Sequence, residues 1–436
     1  MRRTLSVFAL AAALVCVTPP SAQAQERVTN CTTTGKNLYV RDVLTELYYW
    51  YQFLPNVDPA RYDSPEAYLE AVRYRPVDHA YSYVTSRAAS EAFFSESQFI
   101  GFGLSTTITV DGQMRVLQVF DQSPAAEAGL ARGHRLIEIN DRPVAELIAT
   151  GQIGSAFGPG EVGVVAAIVF QTREGQTVRA TMTKRAVTIP TVSNTRLIEV
   201  DGRRVGYVFF RNFVEPSYAA LDTAFAALRE GRASELVLDL RYNGGGLVDV
   251  AVHLASLIGG RTMNGRLLAR YVHNDKNHAY DKELRFGDAE QALSLSRLFV
   301  ITSSASASAS ELLVNALRPY MPVTVVGDRT YGKPVGQYGI AFCDKVVAPV
   351  AFSIRNALDQ GDYYDGIPAD CLAGDDLTHD LGRIDEASLA EALHVLRTGA
   401  CSAPPDPSGV PRGLRAPRVS VAGTPATGWQ AVVNAW

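Results

Sequence analysis

From about residue 191, short apolar runs alternate with amphipathic stretches, and this order limits the folds open to the chain more than any other feature. Residues 236–240 form an apolar run that leads into a glycine cluster, and residues 298–302 form another that leads into small residues. A helical stretch at 311–317 separates the second run from a third at 323–326. Strands alternating with helices predict a mainly parallel sheet, with functional turns at the carboxyl ends of its strands.

Two regions of different character precede this pattern. Residues 38–54 repeat apolar side chains at helical spacing, and a second helical stretch begins at Ser64-Pro65, so we expect a mostly helical cap. Residues 98–109 and 114–120 instead alternate in polarity around Asp111-Gly112, as in a β-hairpin. The sequence therefore predicts a helical cap, then a β-rich domain, then a βαβ core.

Composition excludes two broad classes. The chain has 436 residues, of which 47% are apolar and 20% charged, enough for two or three folded domains and too apolar for a mainly disordered protein. With 41 basic and 45 acidic residues the net charge is -4, which offers no polybasic surface for nucleic acid.

The first 24 residues are typical of a secretory signal peptide: Arg2 and Arg3, an apolar stretch, and the small-residue triplet Ala22-Gln23-Ala24. The apolar stretch is shorter than the roughly 20 residues that span a bilayer, so a membrane anchor is the less favoured alternative. We expect a protein that is periplasmic or secreted, with no integral membrane segment after signal removal. Residues 402–436, rich in proline, glycine and arginine, are expected to form a flexible tail.

Four cysteines remain after the signal segment, which in an oxidising compartment favours two disulfides among three possible pairings. From sequence order we expect Cys343 to pair with Cys371 and Cys31 with Cys401. No pair has the spacing of zinc ligands, and the acidic residues within 362–376 fit no EF-hand loop, so we expect a solvated turn there and no metal site.

The serine-alanine run at 303–310 lies between an apolar strand and a helix, where a flexible linker would interrupt the βαβ unit. A serine on such a turn stands exposed at the sheet edge, next to free helix N–H groups that suit an oxyanion. A serine nucleophile needs a base, and Lys333, with Gln337 four residues later to hold it, is the candidate. Three histidines on expected helical stretches are interpreted as packed or surface residues: His79, His253 and His394.

Two family resemblances follow from longer motifs. The run Gly101, Phe102, Gly103 and Leu104, followed by Ser-Pro-Ala-x-x-Ala-Gly-Leu-x-x-Gly, resembles a PDZ domain, which implies that these four residues bind a substrate's C-terminal carboxylate. His134 departs from the aspartate usual in that family. The domain is expected to control access to the active site.

The second resemblance is to the C-terminal processing, or tail-specific, serine peptidases. It rests on Ser-Ala-Ser-Ala-Ser-Glu-Leu, on Thr-Tyr-Gly-Lys with a later glutamine, and on Asp-Leu-Arg-Tyr-Asn-Gly-Gly-Gly, where the family has Asp-Leu-Arg-x-Asn-Pro-Gly-Gly. It implies Ser308 as nucleophile, Lys333 as base 25 positions later, and the N–H groups of Gly245 and Ala309 as the oxyanion hole. Gly244 replaces the family's proline.

The resemblance implies an ATP-independent serine endopeptidase acting on unfolded or C-terminally recognised proteins, with protein or peptide partners and no cofactor or nucleic acid. The alternatives are a non-catalytic ligand- or peptide-binding protein on the same fold, and a PDZ adaptor. The expected fold is multidomain α/β with a ClpP/crotonase-like core. Its expected parts are a signal peptide over 1–24, a helical cap over 25–96, a PDZ-like domain over 97–187, the peptidase core over 188–401 and the tail over 402–436.

Overall fold

A computed structural model describes residues 30–402, and all structural statements concern these residues. Its strands, in chain order, are β1 Tyr83–Ser86, β2 Gln98–Gly101, β3 Leu104–Ile108, β4 Met114–Val119, β5 Arg135–Ile139, β6 Arg142–Pro143, β7 Val165–Gln171, β8 Thr177–Thr183, β9 Arg185–Thr188, β10 Val192–Val200, β11 Arg203–Phe210, β12 Glu235–Asp239, β13 Leu267–His273, β14 Lys282–Arg285, β15 Leu298–Thr302, β16 Val323–Gly327, β17 Val335–Gln337, β18 Ile340–Phe342, β19 Lys345–Ala348, β20 Val350–Asn356 and β21 Cys371–Leu372. Its α-helices are α1 Thr33–Leu47, α2 Pro65–Val72, α3 Arg87–Glu96, α4 Pro124–Glu127, α5 Val144–Ala149, α6 Ile153–Ala156, α7 Ser217–Glu230, α8 Val248–Gly259, α9 Ala309–Leu317 and α10 Ala387–Thr398.

The predicted parallel sheet is confirmed. Six strands run in the order β10-β11-β12-β15-β16-β21, and every pair from β11 to β21 is parallel. The pair β10 and β11 is an antiparallel hairpin whose turn residues Asp201 and Gly202 have φ angles of 50° and 76°. Two successive positive φ angles match the strand twist in a type I′ turn, which is why Asp-Gly is favoured there.

Helices cover both faces of this sheet. Leu236 and Leu238 of β12 contribute to the cluster that includes α7, α8 and α9, whereas Val237 contributes to the cluster that includes α10. Successive strand residues point to opposite faces, so a continuous apolar run is what a strand buried on both sides requires. Because β12 and β15 are parallel neighbours, their carboxyl ends meet at one edge of this covered sheet.

The N-terminal region contains one strand in addition to the expected helices. Strand β1 pairs antiparallel with β19, which pairs with β18, and joins the start of the chain to its last third. A separate antiparallel sheet has the order β14-β13-β20-β17. The expectation that His79 lies on a helix is wrong, because α2 ends at Val72.

Among the described residues, none of the helices is long and apolar enough to traverse a bilayer.

The β-rich region forms a sheet of order β3-β4-β5-β7-β8, with β6 added to β5, and a separate pair of β2 with β9. The alternating run expected over 98–109 is therefore two strands, since Gly103 has a φ of 83° and turns the chain between them. Strand β3 is an edge strand, bonded within its sheet to β4. The limits proposed for the PDZ-like domain remain predictions.

Arg132 joins the β-rich region to the core. Its guanidinium donates to Asp375 Oδ1 at 2.6 Å and to the Tyr242 hydroxyl at 2.6 Å, and only 7% of the residue is exposed. Arg241, itself buried, donates to the same carboxylate oxygen at 3.2 Å. The expectation of a solvated acidic turn is thus wrong for Asp375, whose carboxylate pairs with two buried arginines.

The expected disulfide pairing is also wrong: Cys31 is bonded to Cys343, and Cys371 to Cys401, with Cα–Cα distances of 5.9 and 5.4 Å. Cys343 lies in the turn between β18 and β19, and the neighbouring Asp344 forms an ion pair with Lys36 of α1. Cys371 lies in β21, whose sheet face is covered by α10, the helix that delivers Cys401. Cys343 and Cys371 belong to different sheets, which sequence order does not show.

The two disulfides should differ in their contribution to stability. In the chain-entropy view, a cross-link stabilises more when it closes a longer loop, and the separations are 312 and 30 residues. We expect Cys31→Ser/Cys343→Ser to lower the free energy of unfolding by about 2 kcal/mol more than Cys371→Ser/Cys401→Ser. Denaturant unfolding of the two double variants measures this difference, and equal losses would contradict it. Non-reducing peptide mapping should recover both linked pairs.

The predicted signal peptide over 1–24 and nearly all of the predicted tail lie outside the described residues.

Candidate active site

The serine-alanine run forms the turn between β15 and α9, and its serines have different tasks. Ser306 Oγ donates to the Leu240 carbonyl and Ser310 Oγ to the Asn243 carbonyl, each at 2.8 Å, and both serines are buried. Ser308 is half-buried and lines an open cleft. The outer serines therefore tie the turn to the loop after β12, and the middle one is left facing the cleft.

Ser308 adopts a strained backbone conformation, with φ 57° and ψ -112°, directly before the first residue of α9. A non-glycine residue in such a region costs on the order of 1–3 kcal/mol and persists only where the surroundings enforce it. A sharp strand-to-helix turn of this kind places a nucleophilic hydroxyl at the top of a sheet.

Glu311 holds Ser308 and Lys333 in place. Its carboxylate is fully buried and accepts four hydrogen bonds: Oε2 from the backbone N–H groups of Ser308 and Lys333, each at 2.8 Å, and Oε1 from Gly332 N at 2.7 Å and the Thr330 hydroxyl at 2.6 Å. Burial raises the pKa of Glu311, whereas these four donors favour its ionised form. One carboxylate oxygen thus aligns the backbones of the predicted nucleophile and base.

Lys333 donates from Nζ to Gln337 Oε1 at 2.5 Å, and Gln337 in turn donates from Nε2 to the Ala348 carbonyl at 2.8 Å. Desolvation lowers the pKa of Lys333 to about 8, against the opposing effect of the Asp78 and Glu311 carboxylates. A lysine amine with this pKa is partly neutral near physiological pH and can accept a proton. Hydrogen bonds between catalytic groups often form only when substrate binds. The assignment of Lys333 as the base for Ser308 therefore does not require a hydrogen bond between them in the free protein.

The N-terminal region completes the surroundings of the lysine. Gln337 Nε2 also donates to the Tyr81 carbonyl, and the Tyr81 hydroxyl donates to the Gly332 carbonyl. Tyr81 is itself fixed by Asp78, which is fully buried and accepts Tyr81 N at 2.8 Å and the Ser82 hydroxyl at 2.6 Å. Residues far earlier in the chain therefore position the Lys333–Gln337 pair.

The two predicted oxyanion donors lie beside Ser308. A Cβ built on Gly245, whose φ is 98°, would lie 2.8 Å from Ala307 O and 2.9 Å from Ala309 N, so only glycine fits. Ala309 is the first residue of α9, where backbone N–H groups have no partner within the helix. Gly245 N donates to Asn243 Oδ1 at 2.9 Å, so its N–H is engaged inside the loop in this structure.

A cleft of about 740 Å³ contains Ser308, Lys333, Gln337 and Gly245. Its walls come from the N-terminal region, the loop after β12 and the sheet of β13, β20 and β17, and they carry many aromatic side chains. The structure thus brings the predicted catalytic residues of the βαβ core together in one cleft.

The four residues of the predicted carboxylate loop lie elsewhere. Among the described residues, those that line this cleft do not include Gly101, Phe102, Gly103 or Leu104. Phe102 and Leu104 are fully buried in the apolar core of the β-rich sheet.

Sequence reasoning missed Glu311 as a site residue, along with Asp78 and Tyr81. A signal for Glu311 was present, because Ser-x-x-Glu before an apolar helix is the capping-box pattern. Nothing in the local sequence marks Asp78, because its relation to Lys333 is made entirely by tertiary packing.

Comparisons with known proteins agree with this geometry. Residues 204–361 match the model of Peptidase family S41, and residues 36–83 match that of the Peptidase S41 N-terminal domain. The matched regions are therefore a peptidase domain and its N-terminal companion. Residues 204–361 are thus a domain of peptidase family S41, a family of serine-type peptidases, which confirms the resemblance predicted from the sequence motifs.

Curated relatives bear names of the same kind. The chain is 29% identical over 255 residues to "C-terminal processing peptidase, chloroplastic" of Tetradesmus obliquus, covering 56% of this chain and 53% of the relative. It is 27% identical over 234 residues to "Carboxyl-terminal-processing protease" of Synechocystis sp., covering 53% of this chain and 52% of the relative. The chain thus spans about half the length of these relatives.

Solved structures show the same fold. A putative S41 protease from Bacteroides fragilis superposes with a TM-score of 0.67 at 24% identity, covering 82% of this chain and 96% of that one. A photosystem II D1 C-terminal processing protease superposes with a TM-score of 0.51 at 21% identity, covering 85% and 98%. The predicted multidomain α/β fold class is confirmed.

Proposed function

We propose that this chain is a serine endopeptidase that hydrolyses peptide bonds of unfolded or C-terminally recognised proteins without ATP, using Ser308 and Lys333. The observation that supports it most strongly is the buried Glu311 carboxylate, which accepts the backbone N–H groups of both residues through one oxygen. A non-catalytic binding protein has no need to align a serine with a lysine of lowered pKa.

In the proposed mechanism, neutral Lys333 takes the proton of Ser308 as the hydroxyl oxygen attacks the peptide carbonyl. The resulting ammonium then gives this proton to the leaving amine, and a water molecule hydrolyses the acyl-enzyme with the lysine again as base. Gln337 keeps the amine in place between these steps through its 2.5 Å hydrogen bond.

The tetrahedral oxyanion would be bound by Ala309 N–H and Gly245 N–H. The proposal requires Gly245 to exchange its hydrogen bond to Asn243 Oδ1 for one to the oxyanion. Loss of one preorganised oxyanion donor typically costs roughly 3–4 kcal/mol. Gly245 N–H would contribute less than this, because it must first give up its bond to Asn243.

We further propose that the protein acts in the periplasm or outside the cell. The supporting observations are the signal-like residues 1–24 and the two disulfides, which persist in oxidising compartments. Of the two disulfides, Cys31–Cys343 links the N-terminal region to the hairpin near Lys333.

A fluorophosphonate probe tests the proposed nucleophile directly. We expect covalent labelling of Ser308 in the wild-type protein, with a rate that rises about tenfold per pH unit below pH 8, because only neutral Lys333 accepts the proton. Peptide mapping by mass spectrometry locates the label. Ser308→Ala should remain unlabelled, and an unlabelled or pH-independent wild type would favour a non-catalytic binding protein.

The β-rich region is proposed to be a PDZ-like domain that captures substrate C-termini. Its strand β3 lies at the edge of its sheet, the position at which a peptide strand is added in this mode of recognition, and Gly101–Leu104 leads directly into it.

Amidation of a substrate's C-terminus should therefore weaken recognition. A hydrogen bond to a charged group is worth about 1.5–3 kcal/mol, so we expect KM for an amidated peptide to rise roughly tenfold or more above that for the free acid. Steady-state kinetics on the matched pair measures this ratio. Equal KM values would show that the carboxylate is not recognised.

A further inference from the structure

A polar chain of three side chains, the middle one buried, lies beside the cleft and has no part in the mechanism above. His273, 3% exposed at the end of β13, places Nδ1 2.9 Å from Asp281 Oδ1 and Nε2 2.9 Å from the Tyr338 hydroxyl. The His273 backbone N–H donates to the same Asp281 oxygen at 2.7 Å. Tyr338 is the residue after Gln337, and it lines the cleft.

The geometry determines which way the protons point. Asp281 accepts from the histidine's backbone and is an acceptor for Nδ1, so the Nδ1 atom of His273 carries the proton. In the neutral imidazole, Nε2 is then an acceptor, and the Tyr338 hydroxyl donates its only proton to it. The remaining lone pairs of the Tyr338 oxygen are acceptors.

The neutral form of His273 is favoured by its surroundings. Burial lowers its pKa, and the nearby His278 and Lys282 act in the same direction, while the hydrogen bond and charge of Asp281 oppose them. Hydrogen bonds from His273 keep the pKa of Asp281 below its ordinary value even though burial raises it. Burial raises the pKa of Tyr338 to about 12, so the phenol keeps its proton.

The Tyr338 ring is fixed on two sides. It stacks on the His273 ring with an interplanar angle of 8° and packs against Phe352 at 5.1 Å between ring centroids. A tyrosine that needed only to fill space would not require an oriented Asp–His pair behind its hydroxyl.

We propose that Tyr338 is a substrate-positioning residue, whose phenolic oxygen accepts a main-chain N–H of a peptide lying in the cleft, with Asp281 and His273 setting its direction. This inference rests on the proposed function, because it requires a peptide in the cleft. An extended peptide offers main-chain N–H and C=O groups at regular intervals. The Tyr338 oxygen has already given its proton to His273, so it can pair with an N–H group but not with a C=O group. Tyr338 would thereby fix the register of the peptide relative to Ser308.

The test measures peptide binding in a background that does not cleave. Overlapping fluorescein-labelled peptides from casein are titrated with Ser308→Ala, and the tightest binder is remade with an ester in place of single non-scissile amides. One ester position should weaken binding about three- to tenfold, the value of one hydrogen bond. In Ser308→Ala/Tyr338→Phe, the all-amide peptide should bind about three- to tenfold more weakly, and the same ester should cause no further loss.

Two comparisons separate positioning from a structural role. Tyr320→Phe removes a tyrosine hydroxyl that bonds the Leu267 carbonyl outside the cleft, and it should leave peptide affinity unchanged. Asp281→Asn should weaken binding in the same direction as Tyr338→Phe with a smaller effect, since it loosens the histidine's orientation. In the cleaving protein, Tyr338→Phe should raise KM more than it lowers kcat.

The outcomes distinguish this inference from the proposed function. Ester effects that are equal with and without the Tyr338 hydroxyl, or unchanged affinity in Tyr338→Phe, overturn the inference while leaving cleavage by Ser308 intact. Tyr338-dependent binding without any cleavage by the wild-type protein overturns the peptidase proposal alone. If no peptide binds to Ser308→Ala, the inference about Tyr338 is overturned, whereas the peptidase proposal is still judged by cleavage in the wild-type protein.

Discussion

Ser308→Ala should reduce cleavage of an unfolded substrate such as casein by at least roughly 10⁴-fold, because it removes the atom that forms the acyl-enzyme. Lys333→Ala should have a similar effect, since the hydroxyl is a weak nucleophile without a base. The double variant should be no worse than either single variant, because the two residues act as one unit. Initial rates of casein digestion measure all three.

Ser304→Ala is the matched control for the nucleophile. Ser304 belongs to the same serine-alanine run but is exposed, so its loss should leave both activity and thermal stability near wild-type values. Unfolding curves for Ser308→Ala should also match the wild type. Undiminished proteolysis by purified Ser308→Ala would refute the proposed mechanism.

Glu311→Gln should cause the second-largest loss. The carboxylate accepts four hydrogen bonds through two oxygens, whereas an amide offers one acceptor oxygen and an NH₂ group that would face two of the four donors. Leaving buried donors unpaired costs about 1–3 kcal/mol each, so we expect two of them to destabilise the protein by roughly 2–6 kcal/mol. Because Ser308 and Lys333 lose their common support, kcat should fall at least roughly 10²-fold.

Glu230→Gln serves as the control, because Glu230 is an exposed glutamate at the end of α7. Both variants lose one negative charge, so a difference between them reports the buried hydrogen bonds. Activity is measured at a temperature where Glu311→Gln is folded, as judged by circular dichroism. Wild-type kcat in the folded Glu311→Gln protein would show that Glu311 is not needed for alignment.

The local sequence carried enough information for the elements that define the core. The central parallel strands are rich in apolar residues because both faces of the sheet are covered, and strand β15 begins and ends where the pattern predicted. Asp201-Gly202 determined a hairpin because its two residues accept positive φ angles. The run around Ser308 was recognisable because small residues are needed where a strand turns sharply into a helix.

Contacts between distant segments were decided only by the tertiary structure. The disulfide pairing depends on which sheet each cysteine joins, and Asp375 pairs with Arg132 and Arg241 across long stretches of chain. Tyr81 contacts Gln337 in the same way, and Asp78 holds Tyr81. Such contacts leave no periodicity in the sequence.

The sequence by itself determined the parallel core, and it predicted a serine and a lysine suited to one reaction. Hydrophobic periodicity and turn chemistry are local properties, so they can be recognised in a single segment. The tertiary structure alone decided that Glu311 holds both residues, that Gly245 N–H is engaged by Asn243, and that the disulfides join Cys31 to Cys343 and Cys371 to Cys401. These outcomes depend on hydrogen bonds and covalent bonds between segments that meet only after the sheets have packed.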